Sequence, residues 1–135
     1  MPGLTLHFVL ANRVLERWRR TGDCVPFDPY ASTDLNAFFH GAIGPDFGYM
    51  PGGHRLLSEL AHGVRTGELT SRLIRSARTS VERAFAWGWL THVLADRLIH
   101  PLIGLGVGEL TAGCRETFVA GATDLPGHLR VELGV

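Results

Sequence analysis

The stretch Trp89–Leu90–Thr91–His92–Val93–Leu94–Ala95–Asp96–Arg97–Leu98–Ile99–His100–Pro101 decides how this chain is read. His92, Asp96 and His100 fall at steps of four inside an apolar run with helical spacing. Residues four apart lie on one face of a helix. No Asp, Glu, Lys or Arg stands between Arg83 and Asp96, and the run is filled by Phe85, Trp87, Trp89, Leu90, Val93 and Leu94. A helix apolar on every side is expected to be buried, which places His92 and Asp96 inside the protein. An unpartnered buried carboxylate is strongly destabilising. A His–Asp hydrogen bond compensates it, and for an isolated pair at this spacing that is the commoner solution. A cation does the same for both groups at once, and zinc takes this mixture of nitrogen and oxygen donors.

Helix geometry divides the three residues. Positions eight apart are separated by about 12 Å along a helix axis. Zinc ligands at about 2.0–2.1 Å cannot readily close on one ion over that span. His92 and Asp96 are therefore expected to share one ion, with His100 serving another.

At 135 residues, 45% hydrophobic and 19% charged, the chain suits one folded domain. Zero net charge, and the lack of a stripe of arginine and aromatic residues, argue against a nucleic-acid partner. Cys24 and Cys114 have no metal-type spacing, and a disulfide between them is only weakly suggested. No run reaches eighteen apolar residues, so no transmembrane segment is expected. The apolar Leu4–Ala11 precedes its arginines, the reverse of a signal peptide, and the expected location is cytoplasmic.

The fold class expected is all-α. Leu6, Val9, Leu10, Val14 and Trp18 stripe a first helix over Leu4 to Arg20. Ser32, Thr33 or Asp34 can cap a short helix ending at Phe39 or His40. The run from Gly41 to Gly53, dense in Gly and Pro, reads as loop. His54 to Val64 reads as helix, with Gly67 as a break. Glu68 to about His100 reads as one long helix or two. Pro101 is expected to redirect the chain, leaving Leu102 to Val119 weakly patterned. Leu125 to Glu132 reads as a loop entering a last helical turn.

Other candidate ligands are weaker one by one. His128 and Glu132 form a second pair at a step of four. Asp46 sits in the Gly–Pro loop, where a turn former is the ordinary reading. His7 interrupts the apolar face of the first helix, usually the mark of a satisfied core residue. His62 ends the His54 helix, and His54 and His40 compete with it.

Taken in order, His7, Gly44–Pro45–Asp46, His62, His92 with Asp96, His100–Pro101 and His128 with Glu132 resemble the zinc-dependent phospholipase C family, whose trinuclear centre the single-strand-specific nucleases share. The resemblance runs over nearly the whole chain and implies one helical domain over 1–135, the N-terminal part of a longer family domain. It implies one zinc on Asp46, His62, His92 and Asp96. A second would sit on His100, His128 and Glu132. A third would use His7, with Asp96 as the bridge. The implied activity is hydrolysis of a phospholipid or other phosphodiester by metal-activated water, with Asp46 as the candidate base. The alternative is a helical protein that binds metal without turnover.

Overall fold

The computed structural model describes residues 4–22, 24–121 and 123–134, with backbone only at 132 and 133. The elements are α1 (Leu4–Thr21), α2 (Ser32–Ile43), a 3-10 segment (Gly44–Tyr49), α3 (Arg55–Gly63), α4 (Thr66–Ser76), α5 (Ser80–Ala112) and α6 (Leu125–Leu133). No strand occurs among the described residues, so the all-α expectation holds.

The centre of the fold is the contact between α2 and α5, and glycine makes it. A Cβ on Gly88 would stand 2.0 Å from the carbonyl oxygen of Phe38, and one on Gly41 would stand 2.0 Å from that of Phe85. The two backbones touch at these points, closer than any side chain allows. Beside this contact Ala11, Leu15, Phe27, Phe38, Ala42 and Ala84 form the core. Phe27 stacks on Phe38 at 5.3 Å, and Trp18 meets Trp87 edge-on at 6.0 Å.

The start of α5 is fixed by a reciprocal cap. Thr79 accepts a hydrogen bond from the Glu82 amide, and the Glu82 carboxylate accepts one from the Thr79 amide. Asp34 is buried in α2, and it accepts hydrogen bonds from Ser80 and from the Asp28 amide. It therefore fastens α2 to α5 rather than capping its own helix, whose N-cap is Ala31.

Three sequence expectations need correction. The stretch expected as loop from Gly41 continues α2 to Ile43 and then forms the 3-10 segment, because Gly41 is a packing residue and not a breaker. Gly67 lies inside α4, and the real break before α5 falls after Ser76. Pro101 does not redirect the chain, since α5 runs through it to Ala112. A proline in a helix interior forfeits one backbone hydrogen bond. Tertiary packing beyond it offsets the loss: Ile103, Gly104, Val107 and Gly108 are buried. A Cβ on Gly108 would stand 1.6 Å from the Thr117 carbonyl oxygen, and the Val119 amide donates to Gly104 across the same contact.

Burial of α5 is also one-sided. His92 is fully buried, but Leu94, Leu98 and Leu102 are 48%, 70% and 66% exposed. The C-terminal end of α5 turns at Gly113 in the left-handed region, and the chain returns to α6, capped by Asp124 on the Gly127 amide. Both thiols, Cys24 and Cys114, are free and exposed.

Candidate metal centre

Three helices and the 3-10 segment deliver side chains to one point. α1 supplies His7, the 3-10 segment Asp46, α3 His62, and α5 His92, Asp96 and His100. His7, Asp46 and His92 are all buried.

Asp96 is the hub, and its two oxygens face different partners. Oδ2 lies 3.4 Å from His62 Nε2 and 3.4 Å from His92 Nε2. Oδ1 lies 3.3 Å from His7 Nε2 and 3.5 Å from His100 Nε2. Asp46 joins the first group, with Oδ1 3.3 Å from His62 Nε2, while its Oδ2 lies 4.0 Å from His7 Nε2. Donor atoms of His7, His92 and Asp96 lie within 4.8 Å of one another, as do those of Asp46, His62 and His92.

Backbone carbonyls orient the rings. His92 Nδ1 donates to the Ala42 carbonyl at 2.8 Å, and His62 Nδ1 donates to the Ser58 carbonyl at 2.7 Å. The first bond depends on the close approach of α2 and α5; the second is made within α3, four residues back. Each bond fixes the proton on Nδ1 and leaves Nε2 as the electron-pair donor. Ser58 also accepts from the Gly48 amide at 2.8 Å, which ties the segment carrying Asp46 to the helix carrying His62.

A cation fits this arrangement. Both nitrogens of His7, both oxygens of Asp46 and Oδ1 of Asp96 are buried without a hydrogen bond among the described residues. Buried polar atoms are seldom left so. The electrostatics agree. Burial pushes the Asp96 carboxyl up, yet His100, His62, His7 and His92 together hold it well below the usual carboxylate range. Burial lowers His62, yet Asp46 and Asp96 raise it to about 10. The cluster draws positive charge from any available source.

His100 stacks on His128 from α6, with ring centroids 5.1 Å apart. Burial lowers His128 to about 4, which keeps its imidazole neutral. His128 thus joins the outer side of the cluster, next to His100. The side chain of Glu132 lies outside the described residues. His54 is exposed and only precedes α3, and His40 is exposed, so His62 is the histidine that reaches the cluster.

The cluster is open on one side. A cleft of about 540 Å³ is lined by Tyr49, His62, His92, Asp96, Arg97 and His100, among others. The side chains of His62 and His100 are 24% and 34% exposed there. Arg97 and the carbonyls of Ala42 and Ser58 carry no ligand spacing, and the sequence reading passed over them. Only the Ser58 carbonyl was within reach of it, as the acceptor one turn before a helical His.

The family model described as zinc dependent phospholipase C matches residues 6–135. The chain belongs to the zinc-dependent phospholipase C family. No curated protein and no solved structure shows significant similarity to it. As a member of this zinc-dependent family, the chain presents candidate metal-binding groups of His and Asp residues within an all-α fold. Among the described residues, no helix is long and apolar enough to cross a membrane.

Proposed function

We propose that this protein hydrolyses a phosphodiester, of a phospholipid or a related molecule, at a centre of two or three zinc ions. The observation that carries the reading is the division of Asp96, with Oδ2 facing His62 and His92 while Oδ1 faces His7 and His100. A carboxylate so placed would serve two ions, one on each oxygen. Asp46, His62, His92 and Asp96 would hold one zinc, as the resemblance implies. His7 would hold another with Asp96 as the bridge, and His100, His128 and Glu132 a third.

Zinc at such a centre neutralises charge on a phosphoryl group and activates water near neutral pH. The chain's own residues supply the rest. The Ala42 and Ser58 carbonyls hold His92 and His62 with Nε2 inward. Asp46, buried beside His62, is the candidate acceptor for the proton of an attacking water. Structural zinc sites are closed by protein ligands, whereas catalytic ones keep an open position. The cleft beside His62 and His100 supports the catalytic reading.

The test is hydrolysis of bis(4-nitrophenyl) phosphate by the zinc-loaded chain. Turnover that chelation abolishes and zinc restores is the expected result. Zinc binding without turnover above that of the Asp46→Asn variant would instead support a metal-binding protein with no catalytic role.

A further inference from the structure

The ion pairs among the described residues engage Arg55, Arg65, Arg72 and Arg115, and none engages Arg97. Arg97 is exposed and lines the cleft beside the cluster. It follows Val93 by four and precedes His100 by three, so the face of α5 carrying the cluster turns directly into the face carrying this guanidinium. The start of α4 lies on the same cleft, through Thr66 and Gly67. A helix start carries partial positive charge, and a Cβ on Gly67 would meet no atom within 4 Å, so that end is open.

Acidic groups that could receive a cationic head group are spoken for. Asp96 is ringed by four imidazoles, and Asp46 is fully buried. Glu59, whose charge acts on Tyr49 in the cleft wall, sits 2.8 Å from Arg55. The cleft therefore offers a guanidinium without an ion pair among the described residues and a helix start, while its described acids are engaged. A guanidinium matches carboxylate and phosphate oxygens two at a time.

We infer that Arg97 is a specificity-determining residue that binds a second negative charge on the substrate's head group, so that anionic phosphodiesters are preferred to those bearing a quaternary ammonium. The inference rests on the phosphodiesterase reading above. Its test uses the zinc-loaded full chain as wild type, Arg97→Gln and Arg97→Lys. Calorimetry compares phosphoserine with phosphocholine as soluble ligands. Turnover compares phosphatidylserine with phosphatidylcholine, each diluted in neutral detergent micelles.

The wild type is expected to favour the serine compound by about tenfold in both measurements, a difference of about 1.4 kcal/mol. Arg97→Gln should bring both ratios close to one, and Arg97→Lys should keep part of the preference. Equal binding of the two soluble ligands, or a preference that survives Arg97→Gln, overturns the inference. A preference seen with micelles alone assigns it to the charge of the lipid surface and also overturns it. If neither lipid is turned over while Arg97 still governs phosphoserine binding, the hydrolase reading falls and the anion site stands.

Discussion

His62 and His92 face each other through their Nε2 atoms at 3.2 Å, while the Nδ1 of each is held by a backbone carbonyl. With each Nδ1 bonded to a carbonyl, both Nε2 atoms turn to one point. Such a contact is stable only when a proton or a metal ion lies between the two atoms. The carboxylates of Asp46 and Asp96 close round the same point.

Replacement of His92 by Ala removes a donor and frees the Ala42 carbonyl. Loss of an outer partner of a metal ligand costs about 10–100-fold in affinity. Loss of the ligand itself is expected to cost more than that. Competition against a chromophoric zinc chelator measures it, and an unchanged affinity would exclude His92 from the centre.

Zinc should stabilise the fold, since its proposed ligands come from α1, the 3-10 segment, α3 and α5. A ligand at 100 times its Kd adds about 2.7 kcal/mol to the native state. For a domain of this size the melting temperature should rise by roughly 10 °C. Scanning calorimetry with and without a chelator checks this. An unchanged melting temperature would mean that the elements are not joined through metal.

The contact of α2 with α5 should tolerate no side chain at Gly88. Gly88→Ala forces a Cβ against the Phe38 carbonyl and is expected to destabilise by at least the 1–3 kcal/mol typical of overpacking, roughly. Gly63→Ala meets no atom within 4 Å and should be neutral or slightly stabilising. Urea unfolding of both variants distinguishes steric exclusion from a general intolerance of change.

Much of this was legible in the sequence, and the rest failed for identifiable reasons. The spacing of His92, Asp96 and His100 fixes their face on any helix, and the eight-residue span separates His92 from His100; Asp96 as a bridge came from the resemblance. The all-α class followed from the helical stripes. Chain order and resemblance, not spacing, brought His7, Asp46 and His62 into the site. Glycine misleads at Gly41, where the sequence suggests the start of a loop, yet it sits within a helix that another backbone approaches. Pro101 was read as a redirection because the packing of Ile103 and Val107 beyond it is a tertiary effect. Arg97 was passed over because only the folded cleft sets it beside the cluster.

Asp34 supplies a pH test away from the centre. The Ser80 hydroxyl, above all, holds its carboxyl below the ordinary 3.8, against the effect of burial. A depressed folded pKa contributes stability above the unfolded value, and that contribution is lost as pH falls through the folded one. Asp34→Asn should therefore be less stable than wild type at neutral pH, and the gap should narrow below about pH 4. A gap that is constant down to pH 2.5, roughly, would show that the charge of Asp34 contributes nothing.

Elemental analysis of zinc in the loaded, desalted chain tests the central claim most directly, alongside Asp96→Asn. At least two zinc ions per wild-type chain are predicted, with a clear loss in the variant because both ions share that carboxylate. A folded wild-type chain that retains no zinc after loading, or a variant that retains the full complement, would contradict the account.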